Sequence, residues 1–225
     1  MKRRAKDTVM PLPSDYPEFL ASDHLSGRTR DILVTRLEDD RLQAPRVLSP
    51  KAFAVLEAIL PVLLPQEDIL GNSPLNLAVR IDTALAGPRD GWRFAELPPD
   101  VTAWEQALLT LDDLARVQHS MPFPALNASE IGQTLDELAE GRHGINAANR
   151  LTPEQMQKWS FDLRADAIEC FLADARVQDA LGISANLNGG DGMFQGFQTV
   201  EANERESFEP SPKIPSAKPR DKTFP

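Results

Sequence analysis

An all-α fold is what this sequence predicts: a single irregular helical domain of about six to eight helices, set between extended N- and C-terminal arms. Three observations predict it. Apolar residues recur at three- and four-residue spacing along most of the chain, and nowhere do they alternate with period two for long enough to demand a sheet. Helix starts and stops punctuate that pattern, as at Ser49-Pro50, Thr152-Pro153 and Gly87-Pro88. Both ends then change character. Residues 1–22 carry prolines at 11, 13 and 17 among charges, and residues 201–225 carry prolines at 210, 212, 215, 219 and 225 with Lys, Arg and Ser. Such compositions are too poor in apolar surface to collapse alone. The domain is placed at 23–200, between arms 1–22 and 201–225.

From Ser26, the series Ile32, Leu33, Leu37 and Leu42 with Arg30, Arg36, Glu38 and Asp39 between predicts a first amphipathic helix, ended by Ala44-Pro45-Arg46. Ser49 caps a second, Pro50 opens it, and Phe53, Leu56, Ile59, Leu60, Leu63 and Leu64 make it the most hydrophobic and hence a central one. Pro61 inside that pattern removes a backbone bond and predicts a kink or an early stop. After a loop with Pro65, Gly71 and Pro74, residues Leu77, Ile81 and Leu85 define a third helix closed by Gly87-Pro88. Residues 89–99 read as a loop holding Trp92 and Phe94, aromatics that are either pinned to the core or turned to a partner. Asp100 is the expected cap of the next helix, with Val101, Trp104, Leu108, Leu111 and Ala115 on its apolar face and Glu105, Asp112, Asp113 and Arg116 on its polar one. Asn127 or Ser129 opens another, with Ile131, Leu135 and Leu138, ending at Gly141; residues 142–150 read as a linker.

The strongest single element follows. Thr152, Pro153 and Gln155 form a helix start with a capping box, and Met156, Trp159, Leu163, Ala167, Cys170 and Phe171 give about five turns one apolar face. Lys158, Asp162, Asp166 and Glu169 fall on the side read as facing water. A short amphipathic piece around Val177 to Leu181 precedes a Gly-rich loop, Asn186 to Phe197, whose Met193, Phe194 and Phe197 must dock elsewhere because so many glycines cannot form a core.

Composition narrows the function. A net charge of -10 argues against non-specific nucleic-acid binding, which needs cations to displace phosphate counterions, and against an anionic membrane surface. Cys170 stands alone, so no internal disulfide and no thiol cluster for zinc, iron–sulfur or attached haem can form; it is read as a small buried core residue. Arg3-Arg4 is a twin-arginine pair, but Asp7, Pro11, Pro13 and Asp15 follow where an export signal needs an apolar run, and no later segment is long enough to span a bilayer. The expectation is a soluble chain with no export signal of its own, cytoplasmic, or periplasmic by riding on a signal-bearing partner.

Catalytic constellations are missing from the pattern. His24, His119 and His143 lie far apart without an i, i+4 partner, no Gly-x-Ser-x-Gly elbow occurs, and the glycines at 189, 190 and 192 do not open a helix after a strand. Asn186, Asn188 and Asp191 lack the acidic series and closing Glu of a calcium loop. The neighbours Asp39-Asp40 and Asp112-Asp113 diverge on a helix and are read as solvated faces, not as acid and base. No catalytic, cofactor-binding or metal residue is assigned.

One resemblance gives this a direction. Leu48 to Ile59, Trp104 to Asp112, Pro122-Phe-Pro-Ala-Leu126 and Phe171-Leu-Ala-Asp174, in that order and ending in the Gly-Gly-Asp-Gly loop, resemble the gluconate 2-dehydrogenase subunit 3 family over about Val47 to Phe208. The resemblance implies a cofactor-free helical companion of a large flavin-dependent sugar or polyol dehydrogenase of the glucose-methanol-choline class. FAD would sit on that partner, and a cytochrome c subunit often joins the complex. It carries over no catalytic residue. The expected function is therefore an accessory subunit that binds and stabilises the flavoprotein; the competing readings are a transient helical chaperone for such a flavoprotein, or an enzyme with its residues drawn from loops. Toward a partner, the candidates are Trp92, Phe94, Met193, Phe194, Phe197 and Phe208, all aromatic or apolar residues in loops or the C-terminal arm.

Overall fold

The computed structural model describes residues 16–21, 25–42, 44–71, 74–88 and 94–181. Among them the chain is helical throughout, with no strand. The order is α1 (Tyr16–Ala21), α2 (Gly27–Asp39), α3 (Pro50–Leu63), α4 (Glu67–Leu70), α5 (Leu77–Ala86), α6 (Asp100–His119), a 3₁₀ turn (Phe123–Ala125), α7 (Ala128–Ala139), α8 (Pro153–Leu172) and α9 (Ala175–Leu181). The short α1 and α4 fall where the sequence reads as irregular. Burial and tethering explain them: Arg30 Nε donates to Leu20 O at 2.6 Å, fastening α1 to α2, and Leu70 of α4 is fully buried.

Local chemistry sets most helix ends. Ser26, Ser49, Asn76, Asn127 and Thr152 each accept a backbone N–H of the first turn, and the last two form reciprocal capping boxes with Glu130 and Gln155. Asp100 does not cap α6 as expected; Pro99 occupies that position and Asp100 is the first helical residue, where its charge still favours the positive helix end. Helix α3 runs through Pro61 and stops two residues later. At the end of α7, Gly141 takes φ +72°, and Arg142 N and Gly141 N donate to Glu137 O and Leu138 O, a left-handed C-terminal closure that a side chain would strain.

Helix α3 is central, packed on α5, α6, α7 and the 3₁₀ turn, while α8 packs on α5, α6, α7 and α9. Where α6 meets α8, Trp104 and Trp159 are both buried and stand edge to face, with ring centroids 5.3 Å apart at 82°. Residues 142–150 are less a linker than a closed loop. Ile145 N donates to Leu151 O, Arg150 Nε to Asp113 Oδ2 at 2.6 Å, and Leu151 N to Thr110 Oγ1, so the entry to α8 is tied to α6.

Several charges expected on solvated faces are instead buried or shared. Asp112 is 1% exposed, accepts from Phe123 N at 2.9 Å, and meets Lys51 Nζ and Arg116 Nε at 2.8 Å each. Its partners lie eleven or more residues away or on another helix, apart from Arg116, and that is why helical periodicity assigns it wrongly. Asp40 is bidentate to the buried Arg80, at 2.7 and 2.6 Å, and Arg80 also reaches Asp174 at 2.9 Å. Asp166, seven residues after Trp159 and so on the same face, is buried with it. Asp82, a further buried carboxylate, collects the backbone N–H groups of Arg46, Val47 and Leu48 and fixes the entry to α3.

Candidate functional site

Of the expected partner-facing residues, Trp92, Met193, Phe194, Phe197 and Phe208 lie outside the described residues, as does the Gly-rich loop. Phe94 is described, and it is half-buried on the flank of α8. Its ring centroid stands 6.2 Å from that of Phe161, and Lys158 Nζ lies 5.9 Å from the same ring, within cation–π range. Lys158 also pairs with Glu96, and Gln155 Nε2 donates to Glu96 O at 2.8 Å. Behind Phe94, a cavity of about 270 Å³ is lined by Leu97, Pro99, Trp104 and Asp162. The segment before α6 is thus strapped to the outer half of α8, with Phe94 continuing an apolar surface that α8 itself supplies.

That surface was not singled out from the sequence. Phe161 is 55% exposed, Ile168 49% and Leu172 37%, and Ala165 is exposed between them. At about 100° per residue, positions 161, 165, 168 and 172 share one line on the helix, nearly opposite the line of Met156, Trp159, Leu163 and Ala167 that enters the core. Helix α8 is apolar front and back. The 4-3-4 spacing is the signal that could have found it; once one stripe accounts for burial, the second is passed over as scatter. Its rim carries Asp162 and Glu169 on one side, with Glu154 continuing the line toward the helix start, while Arg164 on the other turns its guanidinium to Ser160 O and Leu135 O.

Among the described residues the titratable groups do not converge on a reaction centre. His119 Nδ1 is 3.6 Å from Glu130, and the buried His143 has Nε2 2.7 Å from Glu137 Oε2 but off the direction of a hydrogen bond. His24 lies outside the described residues. Cys170 is half-buried against the core, and burial, with Asp166 nearby, pushes its thiol up to about 11, far from a reactive thiolate. Among the described residues no group of three or more His, Cys, Asp or Glu is placed to hold a metal, and no helix is long and apolar enough to cross a membrane.

Fold and surface together describe an all-α chain in which the outer face of α8 is apolar and open to solvent from Phe161 to Leu172. It belongs to the gluconate 2-dehydrogenase subunit 3 family, whose model matches residues 50–184, from the first residue of α3 to just past α9. No curated protein and no solved structure matches the chain. The family is described as a subunit of a dehydrogenase complex.

Proposed function

We propose that this chain is a non-catalytic accessory subunit that binds and stabilises the FAD-containing catalytic subunit of a sugar, polyol or glycoside dehydrogenase. The observation that carries the reading is the family match across α3 to α9. Binding a folded flavoprotein but not its unfolded chain stabilises it by mass action, about 2.7 kcal/mol when the accessory subunit stands at a hundred times its Kd. All the redox chemistry, and the flavin, belong to the partner. The C-terminal arm adds to the same contact through Phe208.

Co-expression tests this. The large flavoprotein made alone should give a low soluble yield and low flavin occupancy, both restored by this chain. A flavoprotein fully soluble and active alone would overturn the stabilising role, and a flavin or haem spectrum on the isolated chain would overturn the non-catalytic one. Removing Glu201–Pro225 should leave the helical circular dichroism unchanged and weaken the complex, with Phe208→Ala giving part of that loss.

A further inference from the structure

We infer that the outer face of α8, formed by Phe161, Ala165, Ile168 and Leu172 and extended by Phe94, is the surface on which the catalytic subunit docks, through an apolar groove edged with Lys and Arg. The inference rests on the accessory-subunit reading above and names the contact it needs. A helix laid into a groove presents anchors at i, i+4, i+7 and i+11, which is the spacing of these four residues over about 16 Å of helix. The anchors stand on rigid support. The opposite side of α8 is locked into the core by Met156, Trp159, Leu163 and Ala167, all at most 1% exposed, and the helix start is fixed by the Thr152–Gln155 capping box. A surface held this firmly loses little freedom on binding.

Charge selects the occupant. Asp162 and Glu169 flank the stripe on one rim, and Glu154 continues its line toward the helix start. Lys158 on that same rim is paired with Glu96, and Arg164 stands on the opposite rim with its guanidinium on backbone carbonyls. The field is therefore negative along the Glu169 rim, in a chain whose net charge is -10, and a groove whose facing edge carries cations fits it. A second copy fits poorly. An isologous pairing sets two α8 helices antiparallel across a two-fold axis, bringing Glu169 of each copy toward Asp162 of the other, both along the same side of the seam.

The test uses the full chain with the large flavoprotein of its own complex, measuring affinity by immobilising the flavoprotein. Ile168→Glu and Ala165→Glu each put a charge into the stripe without removing a buried group, so both isolated variants should melt with the wild type, and each should weaken binding at least tenfold. Val117→Glu, at an 81% exposed position on α6, should bind normally. Glu169→Lys should slow association and flatten its dependence on salt. If wild-type chain fails to bind the flavoprotein, the accessory-subunit reading falls. If wild type binds and both stripe variants bind equally well, that reading stands and the α8 surface is wrong. A stable dimer of the isolated chain that Ile168→Glu splits would assign the face to self-association and overturn the choice of occupant.

Discussion

At the scale of single residues, carboxylates show where the chain's stability is sensitive to acid. Burial raises the pKa of Asp112, but the bonds from Lys51, Arg116 and Phe123 outweigh it and hold the group below the ordinary carboxylate value. Asp174 behaves alike, with burial opposed by Arg176 and Arg80. Because both values are lower in the folded than in the unfolded state, their stabilisation is complete above the unfolded value of about 3.9 and drains away as pH falls through the folded ones. The melting temperature should be flat from neutral pH down to about 5 and fall below about 4. Asp112→Ala should cost about 1–3 kcal/mol in a denaturation experiment at pH 7, mainly for the orphaned Phe123 N–H. The two cations add little to that cost, since Lys51 and Arg116 are half in water and can resolvate.

At the scale of elements, what was legible in the sequence is what is encoded locally. The capping box at Thr152, the helix start at Asn127 or Ser129 and the stop at Gly141 each need only a few neighbouring residues, and the structure settles the second on Asn127 with its own capping box. What needs tertiary context was not readable: Asp112 buried against a 3₁₀ turn, Asp40 drawn to Arg80 forty residues on, the closed loop before α8, and α1 held by Arg30. The outer stripe of α8 falls between these cases, being local in spacing but meaningful only once the other stripe is known to be buried. The loop before α8 makes its own prediction. A Cβ on Gly144 would stand 2.2 Å from Pro153 N, a backbone atom that cannot yield without moving the helix start. Gly144→Ala should therefore destabilise by about 1–3 kcal/mol. By contrast, Gly132→Ala in α7, where the nearest atom would be 3.9 Å away, should stabilise by about 0.5–1 kcal/mol. Chemical denaturation of the two variants side by side separates a steric requirement from a propensity effect.

At the scale of the whole described molecule, two kinds of cohesion meet. From α3 to α9, the part the family model matches, the helices share a continuous apolar core. Helix α2 lies before that match and is held differently: Leu33 is its buried apolar residue, Ile32 and Val34 are exposed, and its fastenings are Arg36 Nη1 on Ala173 O at 2.7 Å and Asp40 on Arg80. With so little apolar surface buried, α2 has little to hold it beyond these few bonds. α2 therefore forms a cooperative unit of its own, able to lift while α3 and α8 stay folded. In native-state hydrogen–deuterium exchange, its amides should exchange faster than those of α3, and Asp40→Ala should accelerate α2 alone. Opening there would free Ala173 O at the C-terminal end of α8 and leave Arg80 with Asp174 as its remaining carboxylate partner, so the one movement would loosen the end of α8 and shift the charge balance beside it.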